Sequence, residues 1–225
     1  MIRKILLDVD DTILDFGAAE RNGITQTFRH FGLEPTEALL QRYQEINRAQ
    51  WEAFERGELE RDEVLTRRFL LLFGELGLEI DPQACEDVYR HWLGVGHCFV
   101  EGAEALLDYL YPKYELYIAS NGVADTQYSR LESAGINRYF KEVFISETTG
   151  YHKPEKAYFD YCFARMPGFR PEETLIIGDS LTSDILGGIN AGIRTCWFNP
   201  RHKPANPAIR PDFEVHSLKE LEDIL

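Results

Sequence analysis

Cysteine is scarce in this sequence, and the few present stand far apart. Of 225 residues only four are cysteine: Cys85, Cys98, Cys162 and Cys196. None forms a CxxC pair, so neither a zinc site nor a dithiol redox motif is suggested. They read as reduced thiols in or near the core. Long apolar runs are also missing. Nothing approaches the roughly 18 residues of a spanning helix, and no signal-peptide pattern follows Met1, so the expected compartment is the cytoplasm. Positive charge is sparse, with 24 Lys and Arg against 38 Asp and Glu and a net charge of -14. A surface that acidic disfavours nucleic-acid backbones and anionic membranes as partners. It still permits a small anionic ligand at one locally positive site. Internal repeats and low-complexity tracts are absent.

Apolar residues supply 44% of the chain, enough for a substantial core. The length allows one large domain, or one domain with a modest insertion. Residues 3–9 read as a buried strand. From 17 to about 95 the pattern is helical without a convincing strand. Phe69, Leu72, Phe73 and Leu76 recur at i, i+3, i+4, i+7, and Leu39, Tyr43, Ile46 and Phe54 line an earlier helix in the same way. Beyond residue 100, strands at 114–120, 142–146, 174–179 and 194–198 alternate with helices at 102–111, 124–134, 155–165 and 183–191. A short strand near 213–215 precedes a last helix from about 217, and residues 199–211 read as a Pro-rich loop. This alternation predicts an α/β fold with a doubly wound, mainly parallel sheet covered on both faces. An all-helical segment interrupts it after the first strand. The boundaries expected are 1–16 with 97–225 for the core and 17–96 for the insertion.

Ligands of open parallel sheets bind beyond the carboxyl ends of the strands. The first strand ends in Asp8-Val9-Asp10-Asp11-Thr12, the second in Ser120-Asn121-Gly122, and a later one in Gly178-Asp179-Ser180 with Asp184 close behind. His152-Lys153-Pro154 stands at the start of a helix between them. Each group has a plainer reading when taken singly. Aspartates serve turns, Asp179-Ser180 can cap a helix, Ser120-Asn121-Gly122 can be an ordinary turn, and Lys153 can be a solvated charge. Those readings leave their common position and complementary chemistry unexplained. Clustered carboxylates raise one another's pKa unless a cation joins them. Hard oxygen ligands suit Mg²⁺. A divalent cation with a lysine and a hydroxyl makes a cradle for phosphate oxygens, and a neighbouring carboxylate can attack phosphorus.

These four motifs, in this order, resemble those of the haloacid dehalogenase-like superfamily of phosphohydrolases, whose pattern is DxDx[TV], a Ser or Thr, a Lys, and GDxxxxD. The branch it looks most like holds pyrimidine 5'-nucleotidases and N-acylneuraminate 9-phosphatases. The resemblance implies a Rossmann-like core with a helical cap and an Mg²⁺-dependent phosphatase acting through an aspartyl phosphate. It implies that Asp8 is the nucleophile and that Asp10 is the acid and base. Asp8, Asp10 (through its carbonyl), Asp179 and Asp184 would serve the metal, Asp184 through bound water or by orienting Lys153. Ser120, Asn121, Gly122 and Lys153 would hold the phosphoryl group, and Thr12 would order the first loop. Asp11 stands where many members carry Gly and is expected to point away from the metal.

Asp10 also separates chemistries, since the dehalogenases of this superfamily lack that second aspartate. The lysine-free stretch 17–95 argues against a phosphonatase, which needs a cap lysine. A response-regulator receiver uses similar groups but is about half this length and carries its phosphoacceptor on a middle strand. The expected substrate is a small phosphorylated metabolite. A nucleoside 5'-monophosphate comes first, sugar phosphates and phosphoglycolate next, and a phosphomutase reaction is an alternative. The protein is expected to be a monomer or small homo-oligomer. The cap should choose the leaving group and swing on linkers near 15–18 and 95–100. Phe16, Asn22, Trp51, Trp92, His97 and His152 are candidate substrate-side residues, with Trp51 and Trp92 otherwise expected to fill the cap interior.

Overall fold

The computed structural model describes residues 1–225. The chain divides into two compact units, Met1–Phe16 with His97–Leu225, and Gly17–Gly96. No helix is long and apolar enough to cross a membrane.

In the first unit, strands β1 (Lys4–Leu7), β2 (Glu115–Ser120), β3 (Phe140–Ile145), β4 (Thr174–Gly178), β5 (Arg194–Phe198) and β6 (Phe213–Val215) form one sheet. Their order is β3-β2-β1-β4-β5-β6, and every pairing is parallel. The middle residues of the central strands are apolar and buried because both faces are covered. Alternate residues serve opposite faces. Ile5, Leu7, Leu116, Ile118, Leu175 and Ile177 pack with Leu106, Leu107, Leu110 and Leu131. Leu6, Tyr117, Ala119 and Ile176 pack with Tyr158, Phe159 and Cys162 on the other side.

The helices of this unit are α5 (Ala103–Leu110), α6 (Ala124–Ser133), α7 (Ser146–Thr149), α8 (Lys156–Phe163), α9 (Leu186–Ala191) and α10 (Leu221–Ile224). A π-helical turn, Leu181–Ile185, precedes α9 where a regular helix from 183 was expected. Strand β3 also begins two residues earlier than expected, at Phe140.

β1 lies between β2 and β4, so the chain turns opposite ways on its two sides. This is the switch point at which a crevice opens beyond the strand ends. Register places Leu7 beside both Ile118 and Ile177. The next residues along the three strands are therefore Asp8, Ala119 and Gly178, and the Asp8 N–H donates to Ile177 O at 3.0 Å.

The second unit is built from α1 (Phe16–His30, whose first residue belongs to the core unit), α2 (Glu37–Glu55), α3 (Arg61–Leu76) and α4 (Pro82–Gly94). Their ends are marked locally. Thr36 accepts from Leu39 N at the start of α2, Glu60 and Glu63 form a capping box on α3, and Asp81 accepts from Gln83 N ahead of Pro82 in α4. Gly77 closes α3 with φ 65°, a conformation that costs glycine least.

The interior is aromatic. The Tyr43 ring stacks on Phe69 at 5.4 Å and meets Tyr89 edge-on at 5.7 Å. Leu76 departs from the expected stripe and is exposed, because the helix ends there. Trp51 and Trp92 are half-buried. The expectation that they fill this interior is corrected: Phe28, Tyr43, Phe69 and Tyr89 occupy it, and the Trp51 ring stands perpendicular to Phe54 at 5.7 Å. Among these rings lies a buried polar chain. Arg68 donates to Asn47 Oδ1 at 2.8 Å and to Glu86 Oε2 at 2.5 Å, and Asn47 donates to Glu20 Oε1 at 2.6 Å. Such groups leave water only when they partner one another.

Candidate active site

Asp8 directly follows β1, and its carboxylate is almost wholly buried. Lys153 reaches it from the loop before α8. The Lys153 ammonium lies 2.8 Å from Asp8 Oδ1, 2.6 Å from Asp184 Oδ1 and 2.6 Å from Ala119 O. Asn121 fixes the backbone of this lysine by accepting from Lys153 N at 2.9 Å and donating to Lys153 O at 2.8 Å. The loops after β2 and before α8 thus hold each other. Thr12, buried in the first loop, directs its hydroxyl to Asp8 Oδ2 at 3.4 Å. Asp184 comes from the π-helical turn, and its Oδ2 accepts from Ser180 N at 3.1 Å. Ser180 also caps that turn by accepting from Ser183 N at 3.2 Å.

Asp8, Asp179 and Asp184 offer ligand atoms that all lie within 4.8 Å of one another. Burial raises the Asp8 pKa well above the usual carboxylate range. Lys153 opposes that rise, while Asp184, Asp10 and Asp179 add to it. Burial likewise pushes Asp179 up to about 6, against the pull of Lys203. Burial alone would lower the Lys153 pKa, but Asp184 and Asp8 outweigh it and the net shift is upward. Three carboxylates met by two lysines, Lys153 on Asp8 and Asp184 and Lys203 on Asp179, remain short of positive charge. That donor set fits a hard divalent cation such as Mg²⁺.

Asp10 is arranged differently. Its carboxylate does not join those three. It ion-pairs through Oδ1 with Arg130 and accepts through Oδ2 from Gln127 Nε2 at 2.7 Å. Any part for Asp10 in holding a metal therefore falls to its backbone carbonyl. Ser120 ends β2, fully buried, and its Oγ accepts from Gln127 Nε2 at 2.8 Å and Gly122 N at 3.1 Å. Asp11 has φ 58°. Its Oδ1 accepts from Phe16 N at 3.0 Å and its Oδ2 pairs with Arg201 at 3.4 Å. His152 is half-buried and pairs with Glu155 at 2.7 Å. Asn22 and His97 are exposed, and Phe16 is half-buried.

Three residues of this neighbourhood escaped the sequence reading. Gln127 and Arg130 sit on α6, three positions apart and so on one face. Lys203 lies in the Pro-rich loop, 2.8 Å from Asp179 Oδ2. Buried Asn199 holds the backbone there, accepting from Lys203 N at 2.7 Å and donating to Lys203 O at 3.0 Å. A cavity of about 150 Å³ opens beside Asp179 and Lys203, with Asp11, Asp15, Phe99 and Arg201 also among its walls.

Residues 5–198 match the haloacid dehalogenase-like hydrolase family. The chain belongs to that family, and it is an enzyme of the hydrolase class. It is 48% identical over 223 residues to the HAD-hydrolase YfnB of Bacillus subtilis (strain 168), covering 99% of this chain and 95% of YfnB. A crystal structure of YfnB, described as bound to magnesium and as revealing interdomain movement, superposes with a TM-score of 0.96. That match is at 47% identity and covers 100% of this chain and 98% of the other. The pyrimidine 5'-nucleotidase PynA of Streptococcus pneumoniae is 38% identical over 222 residues, covering 98% of this chain and 94% of PynA. The pyrimidine 5'-nucleotidase YjjG of Escherichia coli (strain K12) is 32% identical over 221 residues, covering 98% and 96%.

Proposed function

We propose that the chain is a Mg²⁺-dependent phosphomonoesterase whose substrates are pyrimidine nucleoside 5'-monophosphates. The observation that carries the reading is the Lys153 ammonium shared between Asp8 and Asp184, beside Asp179, at the strand ends. Asp8, Asp179 and Asp184, with the Asp10 carbonyl, would hold the ion, which would supply positive charge to the transferring phosphoryl group.

In the first step a carboxylate oxygen of Asp8 bonds to phosphorus as the ester P–O bond breaks. Lys153 and Thr12 orient the attacking carboxylate. Asp10 gives its proton to the departing oxygen. Ser120, the Asn121 amide and Lys153 stabilise the phosphoryl oxygens as charge moves onto them. In the second step Asp10 takes a proton from water as that water bonds to phosphorus. The acyl phosphate P–O bond then breaks, releasing inorganic phosphate and restoring Asp8.

PynA and YjjG, similar along nearly their whole lengths, support the choice of a pyrimidine nucleotide. The presence of Asp10 favours phosphate esters over halogenated acids, whose cleavage needs no proton on a leaving oxygen. The test is phosphate release from a panel of nucleoside monophosphates, sugar phosphates and phosphoglycolate, with Mg²⁺ and with a chelator. Highest kcat/KM on UMP or CMP, silenced by chelation, is the expected outcome. A preference for a sugar phosphate would move the substrate, and activity indifferent to chelation would remove the metal.

A further inference from the structure

Gln127 stands between two groups that the proposed reaction uses for different purposes. Its side-chain nitrogen donates to Asp10 Oδ2 at 2.7 Å and to Ser120 Oγ at 2.8 Å. Its side-chain oxygen accepts from Arg130 Nη1 at 3.0 Å, and the same guanidinium nitrogen pairs with Asp10 Oδ1. Gln127 and Arg130 are each about 1% exposed. Their helix is held at its first turn by Glu147, whose carboxylate accepts from Ala124 N at 2.6 Å. The backbone makes room for the amide. A Cβ on Gly122 would come within 2.7 Å of Gln127 Nε2 and 2.8 Å of its Cγ, so any side chain at 122 displaces this glutamine.

The chemistry of these contacts has one direction. Arginine has no acceptor, and the amide nitrogen of glutamine is a donor only. The side-chain acceptor of the pair, Gln127 Oε1, receives Arg130. Asp10 is thus held from behind by donors on both oxygens, and a carboxylate oxygen keeps a lone pair beyond each such bond. A proton carried by Asp10 takes the lone pair that these donors leave free. Ser120 is placed in the same way. Its oxygen accepts from Gln127 Nε2 and from Gly122 N, so its own hydrogen is turned away from both donors.

We propose that Gln127 and Arg130 are positioning residues that orient two protons at once. The Asp10 proton is aimed at the leaving oxygen and the Ser120 proton at the phosphoryl group, with the Gln127 amide coupling the two. This rests on the phosphomonoesterase reading above.

The experiment compares kcat/KM for two esters. One is p-nitrophenyl phosphate, whose leaving group departs readily without a proton. The other is UMP, whose sugar alkoxide needs one. Positioned general acids contribute about 10²–10⁴-fold. Gln127→Met and Arg130→Met should therefore lower kcat/KM on UMP at least about tenfold more than on p-nitrophenyl phosphate, and Arg130→Lys should recover part of the difference. Gln127→Glu, which replaces the donor by an acceptor, should be worse than Gln127→Met. Ser120→Ala and Gln127→Met combined should cost at least about threefold less than the product of their separate effects, as expected for groups that share one interaction.

Equal losses on both esters, or strictly multiplicative effects of the Ser120 and Gln127 changes, would overturn the proposal. If Arg130→Met fails to fold, Gln127→Met and Arg130→Lys decide the matter, since each keeps most of the side-chain volume and leaves Asp10 a cationic partner at position 130. A wild-type protein that hydrolyses neither ester refutes the phosphomonoesterase reading instead, which keeps the two failures apart.

Discussion

The Lys203 ammonium lies 2.8 Å from Asp179 Oδ2, on the flank of the carboxylate cluster. Lysine thereby supplies to this aspartate part of the positive charge that a metal ion would also bring. The loop bonds of Asn199 keep it there. Replacing Lys203 by Met removes a competing charge beside the cluster. Mg²⁺ should then bind about three to ten times more tightly, a difference of about 1 kcal/mol, measured by calorimetric titration. Weaker binding would show that Lys203 orients Asp179 rather than competing for it.

Asp8→Asn removes the proposed attacking oxygen while keeping the side chain's size. Turnover of every phosphate ester should fall at least about a thousandfold, as for other nucleophile deletions. The metal-free protein should keep its Tm, because the change also removes one negative charge from a crowded buried cluster. Steady-state activity within tenfold of wild type would show that another group attacks.

The raised pKa of Asp179, about 6, predicts an unusual pH dependence for the metal-free protein. An acid whose pKa is higher folded than unfolded binds its proton more tightly in the folded state. Stability is then greatest below the ordinary carboxylate pKa and declines as pH rises through about 6. Asp8, shifted in the same direction, adds to the decline. Mg²⁺ should reverse it, because the ion binds the deprotonated carboxylates of the folded state. The rise in Tm on adding Mg²⁺ should be small at pH 5 and large at pH 7.5 by calorimetry. Equal increments at both pH values would place the ion away from these groups.

Gly178→Ala tests how closely β4 approaches the cluster. A Cβ there would fall 2.2 Å from Asp184 Oδ2 and 2.3 Å from its Cγ. Asp184 must move, and with it one of the two carboxylates that hold Lys153. A stability loss of about 1–3 kcal/mol is expected from overpacking, together with weaker Mg²⁺ binding. An unchanged Mg²⁺ affinity would mean that Asp184 takes no part in holding the ion.

Much of the core could be read from the sequence because parallel strands are apolar on both faces and end abruptly. Ile5-Leu6-Leu7 stops at Asp8, and the change in chemistry marks the strand end itself. Phe69, Leu72 and Phe73 were equally legible, since a helix against a core repeats its apolar positions. Leu76 shows the limit of that rule, because periodicity does not say where the helix itself ends. Gln127 and Arg130 were missed for a different reason. On a helix such residues normally face water, and here Asp10, from the loop after β1, and Ser120, at the end of β2, meet them in the interior. Lys203 carries no local signal. Its role depends on where a Pro-rich loop folds back, which pairwise spacing does not encode. The tryptophans misled because bulk alone does not decide which ring is innermost.

One pairing near the start of the chain bears on how such an enzyme can change over time. Asp15 N donates to Cys98 O at 2.8 Å and Val100 N to Ile13 O at 2.9 Å, with Leu14 bridged to Phe99. The outgoing and returning stretches are thus stitched together at the base of the excursion. To the sheet, everything beyond that stitch is equivalent to a tight hairpin, whatever its length or content. Descendants of this scaffold are free to lengthen, shorten or exchange the helical piece without disturbing strand register or the aspartate at the end of the first strand.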